Sequence, residues 1–109
     1  MIETEQHPIT YCDNHYPETM SEFRAIQESQ IALFSSKQVD YGPNNIYMNG
    51  DTQLSLFALL VRINDKLQRM FHLHKTQKTP MNESIVDCYQ DVSIYGIIAQ
   101  IVASDHWGK

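Results

Sequence analysis

Leu56, Leu60, Ile63, Leu67 and Met70 recur at steps of three and four residues, and this spacing constrains the fold more than any other feature of the chain. Side chains three and four apart share one face of an α-helix, whereas a strand groups alternate residues. The run therefore predicts a helix ending near residue 73, with Asp51 or Thr52 as its N-cap. A second helix is predicted from Thr19 to about residue 38. There Thr19-Met20-Ser21-Glu22 fits a capping box, and Phe23, Ile26, Leu33 and Phe34 share a face with Gln27 and Gln30 beside them. Gly42, Pro43, Asn44, Asn45 and Gly50 make residues 40–50 a turn-rich connection.

A third helix is predicted from Met81 to about Ser104, opened by Thr79 as cap and Pro80 in the first turn, where its missing amide costs nothing. Ile85, Tyr89, Val92, Gly96, Ala99 and Ala103 form one apolar face, and Ile94, Ile97, Ile98 and Ile101 form another. A helix apolar on two faces needs covering on both. Residues 1–18 mix Pro8 and Pro17 with polar residues and show no sustained period, so they read as an irregular arm before a single helical domain over 19–109. The expected fold is all-α, a three-to-four-helix bundle completed by oligomerisation, as a homodimer or a higher homo-oligomer.

A chain of 109 residues with 42% apolar side chains supports one core. No apolar run is read as approaching the roughly 18 to 20 residues of a membrane span, and the start is polar and acidic, unlike a secretory signal. A cytoplasmic location without membrane contact is the expectation. In a reducing compartment Cys12 and Cys88 are expected as free thiols, Cys88 as a small buried hydrophobe with no neighbouring histidine to activate it. A net charge of −5 argues against broad binding to DNA or RNA, which depends on cations displacing phosphate counterions. A small anionic ligand is compatible with it.

Two charged groups stand out. Glu83, Asp87 and Asp91 are spaced i, i+4, i+8, one stripe on the expected third helix, in line with Ile94, Ile98 and Ile101. Carboxylates aligned with an apolar face call for a cation, and Mg²⁺ suits oxygen ligands of this kind. The alternative is that Glu83 and Asp87 face solvent at the positive end of the helix. Arg62, Asp65, Lys66 and Arg69 fall on one edge of the leucine helix. If the two helices are antiparallel neighbours, that edge faces the acids. Arg62, Lys66 and Arg69 then serve phosphate oxygens and Asp65 the metal, or else the whole set forms interhelical salt bridges. His72 and His74 read as surface residues, and no glycine-rich phosphate loop is present.

The order Asp40-Tyr41-Gly42, Arg62-x-x-Asp65-Lys66-x-x-Arg69, Glu83-Ser84-x-x-Asp87 and Tyr95 resembles the phage and bacterial family called nucleotide modification associated domain, type one, over about residues 21–102. That resemblance implies work on a nucleotide or deoxynucleotide in phage DNA metabolism, in the host cytoplasm if phage-encoded, with Tyr41 and Tyr95 on the substrate side. More distantly, the acidic helix with Asp91-x-x-x-Tyr95 resembles the all-α, magnesium-dependent nucleoside triphosphate pyrophosphohydrolases of the MazG and dimeric dUTPase type. Their E-x-x-E and E-x-x-D pairs are absent, since Glu22 and Glu28 are six apart and Cys88 stands three before Asp91. Under that likeness Glu83 and Asp87 are the expected catalytic metal ligands with Asp91 beside them, Asp65 is a further catalytic acid, and Arg62 or Lys66 stabilises developing charge. Three functions are thus expected, in order: a magnesium-dependent nucleotide (pyro)phosphohydrolase or a nucleotide-modification accessory in phage DNA metabolism, a non-catalytic nucleotide-sequestering protein, and a helical protein–protein adaptor.

Overall fold

The structure, a computed structural model, describes residues 7–109. They form α1 (Pro8–His15), α2 (Pro17–Tyr41), α3 (Thr52–Thr76) and α4 (Ile85–Ala103), with no strand among the described residues. The all-α expectation is met. Two compact units divide the chain between Ser35 and Ser36, within α2 and well after residue 18.

In the first unit, Pro8–His15 is helical and not irregular as expected. His7 is the reason: its Nδ1 accepts from the Ile9 N–H at 3.2 Å, and Pro8 fills the first position, where no amide is missed. Residues 1–6 of the expected arm lie outside the described residues. The same chemistry moves the start of α2. Pro17 takes its first turn and the Met20 N–H bonds the Tyr16 carbonyl at 3.0 Å, so Thr19 lies inside the helix and is not its cap. Arg24 and Asp13 form a two-pronged ion pair at 2.9 and 3.2 Å. Phe23 and Ile26, expected on the covered face, are exposed, and Gln30 is buried.

In the second unit, α3 and α4 pack along one another. Lys66 meets Asp91 and Arg69 meets Glu83, so the later residue on α3 faces the earlier one on the other side and the two helices run antiparallel. Asp51 caps α3, accepting from the Leu54 N–H at 3.0 Å, as the sequence indicates. The helix runs three residues past the expected end and closes on Gln77 in the left-handed conformation, whose N–H bonds the Leu73 carbonyl. Ser84 caps α4, accepting from the Asp87 N–H at 3.1 Å, in place of Thr79. The third helix therefore begins at Ile85, four residues later than expected.

The buried residues of α3 are Ser55 and Leu59, and those of α4 are Cys88, Ile98 and Val102. This corrects the expected core stripe, because Leu60 and Leu67 are exposed and Leu56, Ile63 and Met70 are half-buried. α3 is apolar on two sides and has one helical neighbour in this unit, so α4 covers only one of them. The turn after α2 and the chain end close the top of the pair. Trp107 is 3% exposed and donates from Nε1 to the Pro43 carbonyl at 3.0 Å, and Ile46 is buried beside that turn. Gly108 sits at φ +75, and a Cβ there would lie 3.1 Å from the Pro43 ring, so only glycine fits the approach without displacement.

By length and composition α4 is apolar enough to cross a membrane, with a mean hydropathy of 1.2, which corrects the expectation that no stretch approaches a span. In this fold one apolar side of α4, with Cys88, Ile98 and Val102, is buried, whereas Val86, Tyr89 and Ile97 are exposed, and its Asp91 is ion-paired to Lys66.

Candidate functional site

Because Ser84 caps α4, Glu83 precedes the helix and does not stand on its acidic stripe. The chain turns there, and Glu83 reaches α3 from the connecting segment. Lys66 Nζ lies 2.9 Å from both Glu83 carboxylate oxygens and 2.9 Å from Asp91 Oδ2. All three side chains are mostly covered, with 22–29% of their surface exposed. Arg69 donates from Nη2 to the Glu83 backbone carbonyl, which fixes the segment from behind. The Cys88 thiol lies 3.7 Å from Glu83 Oε1.

The electrostatics follow from this contact. Hydrogen bonds from Lys66 to Glu83 and Asp91 raise the lysine well above its ordinary value, so the ammonium keeps its proton. Burial by itself pushes the Asp91 carboxyl up, but hydrogen bonding to Lys66 and Glu83, with the charges of Lys66 and Lys37, holds it below the ordinary range. Burial and then the Glu83 charge push the Cys88 thiol up. Cys88 is a buried, protonated thiol, as its sequence context suggests, and both Cys12 and Cys88 are free.

The three expected metal ligands do not converge. Glu83 and Asp91 share Lys66, whereas Asp87 is exposed in the first turn of α4, and no group of three or more His, Cys, Asp or Glu side chains able to hold a metal ion occurs among the described residues. Glu83 and Asp91 are suitable oxygen donors for Mg²⁺, but an ammonium already stands between them. The arrangement as it stands does not fit the metal.

Arg62 and Arg69 are placed differently from Lys66. Arg62 donates from Nη2 to the Asn45 carbonyl at 2.9 Å, and neither arginine has a carboxylate partner among the described residues. Arg69 Nε is buried with no hydrogen-bond partner. Both guanidinium groups thus spend a donor on a neutral carbonyl, with no carboxylate within 4.0 Å among the described residues. Seven residues apart on a helix, they are separated by about 10 Å along the axis. Asp65 is exposed and bonded to none of these groups. Tyr41 ends α2, exposed, and Tyr95 is half-buried in mid-α4, and neither hydrogen-bonds the cluster. His72 and His74 are exposed, as expected. The Asn45 carbonyl was not singled out from the sequence; it belongs to the turn that the glycines and asparagines mark, but a backbone acceptor leaves no side-chain signal.

No protein-family model, no curated protein and no solved structure matches the chain.

Proposed function

We propose that the chain is a nucleotide- or deoxynucleotide-binding protein that holds the phosphates of its ligand with Arg62 and Arg69, on the α3 edge where they flank Lys66. The observation that carries this reading is the pair of half-covered arginines without a carboxylate partner among the described residues, flanking a lysine that already has two. Guanidinium donors match phosphate oxygens in geometry and charge, and a separation of about 10 Å suits a phosphate chain or a phosphate and its nucleoside. Binding without turnover is the better-supported form, because Glu83 and Asp91 are engaged by Lys66 and Asp87 stands apart. The resemblance in motif order points to the same ligand class.

The test is a thermal-shift series of the purified protein with nucleotides and deoxynucleotides, with and without Mg²⁺, followed by chromatography for product. A saturable shift lost in Arg62→Ala and Arg69→Ala, without product, is expected. Product formation abolished in Glu83→Gln would replace the binder with the hydrolase, and no shift with any nucleotide would overturn the reading. A second reading, the helical adaptor, is favoured by the large apolar side chains left exposed on α3 and predicts no small-molecule ligand.

A further inference from the structure

The side of α3 turned away from α4 carries Phe57, Leu60, Asn64, Leu67 and Phe71 at steps of three, four, three and four. This is the heptad spacing of helix-to-helix seams, with Phe57, Asn64 and Phe71 at one core position and Leu60 and Leu67 at the other. Phe57 is 64% exposed, Leu60 62% and Phe71 65%, whereas Leu59, on the α4 side, is 1% exposed. From this geometry we infer that the α3 seam is a self-association surface, closed by the same seam of a second copy of the chain about a two-fold axis at Asn64.

Three observations select a second copy over another occupant. Asn64 is exposed in the middle of the seam, and its amide has no partner within the described chain. An apolar partner would bury that amide unsatisfied, at a cost, while an identical amide supplies both a donor and an acceptor to it. The order Phe-Leu-Asn-Leu-Phe is also the same read from either end, so Asn64 meets Asn64 and aromatic meets aromatic whichever way the helices run. Finally, the seam and the flanking Leu54, Val61 and Gln68 carry no ionisable side chain. Two copies of an acidic protein can therefore meet here without opposing like charges.

The area is sufficient. Taking about 200 Å² for a fully exposed phenylalanine and somewhat less for leucine or valine, the exposed parts of Phe57, Phe71, Leu54, Leu60, Val61 and Leu67 offer roughly 550 Å² of apolar surface per copy. A stable interface takes about 800 Å² from each partner, near two thirds of it apolar in homodimers. The intervening Gln68 and Asn64 supply polar area in the remainder.

The test is the mass of the full chain in solution by sedimentation velocity and light scattering at tens of micromolar. A species of twice the 12.7 kDa chain mass is expected. Leu60→Glu with Leu67→Glu is expected to convert it to a monomer of unchanged helicity by circular dichroism, since both side chains are exposed in the single chain. Asn64→Cys in a Cys12→Ser background is expected to form a disulfide-linked dimer under mild oxidation, and Asp65→Cys, a turn of about 100° around the helix, is not. A wild-type monomer at every concentration, a dimer unmoved by the glutamates, or equal cross-linking from both cysteines would each overturn the inference.

Discussion

Lys66 Nζ lies 2.9 Å from Asp91 Oδ2, across the antiparallel α3–α4 pair. With Glu83 on its other side, the ammonium is the only cation bonded to either carboxylate among the described residues, and the three groups have to be understood together. Surface ion pairs contribute little, but these side chains are more than two thirds covered, and a half-buried carboxylate left without its cation is costly.

Removing Lys66 alone is therefore worse than removing the whole set. Lys66→Met is expected to destabilise the protein by about 2 kcal/mol, a loss below that of a fully buried pair because some water reaches the site. Adding Glu83→Gln and Asp91→Asn to Lys66→Met is expected to recover most of that loss. Urea midpoints of the single and triple variants check it, and a triple variant weaker than the single would refute the cluster's coupling.

The pH dependence follows from the directions of the two shifts. Asp91 is held below its ordinary value, so its contribution is present above about pH 4, the unfolded value, and is lost as pH falls through the folded one. Lys66 is held above its ordinary value, so its contribution is complete below about pH 10.4 and is lost only as strong alkali deprotonates it. From roughly pH 5 to 8 the Lys66–Asp91 pair leaves stability flat. The stability gap between wild type and Asp91→Asn is expected to be constant across that range and to shrink as pH falls below about 4, the unfolded value. A gap of undiminished size in acid would contradict the lowered carboxyl.

Ser84 sets where α4 begins and hence where Glu83 stands. Ser84→Ala is expected to cost about 1 kcal/mol through loss of the bond to the Asp87 N–H. It should also loosen the Glu83–Lys66 contact. Hydrogen exchange at the first turn of α4, together with a urea midpoint, measures both, and protection equal to wild type at Asp87 and Cys88 would show that the cap is dispensable.

Much of the fold is determined locally. Asp51 opens α3 and the glycine- and asparagine-rich turn precedes it, as the sequence indicates, because a cap or a breaker acts on backbone groups within a few residues. The same logic contains the misreadings. His7 and Pro8 open α1 where two prolines suggested an irregular arm, and Ser84 outcompetes Thr79 at the start of α4. Both signals are present in the sequence but lie beside stronger-looking ones. Pro80 fits a first turn on paper, whereas Ser84 stands directly before the apolar run.

That the chain is helical, where its main turn falls, and that Arg62, Lys66 and Arg69 share an edge are legible from residue order, because each depends on neighbours a few positions apart. Which side of α3 is covered and which acids meet Lys66 depend instead on how α4 packs. Leu59 and Leu60 are indistinguishable as residues, yet one is buried and the other bare, because α4 approaches from one direction only. Asp87 and Glu83 look equally placed on a helical stripe, but the cap at Ser84 takes Glu83 off that stripe and carries it to the ammonium. Periodicity defines faces; the position of a neighbouring helix, set by the whole chain, defines what each face meets.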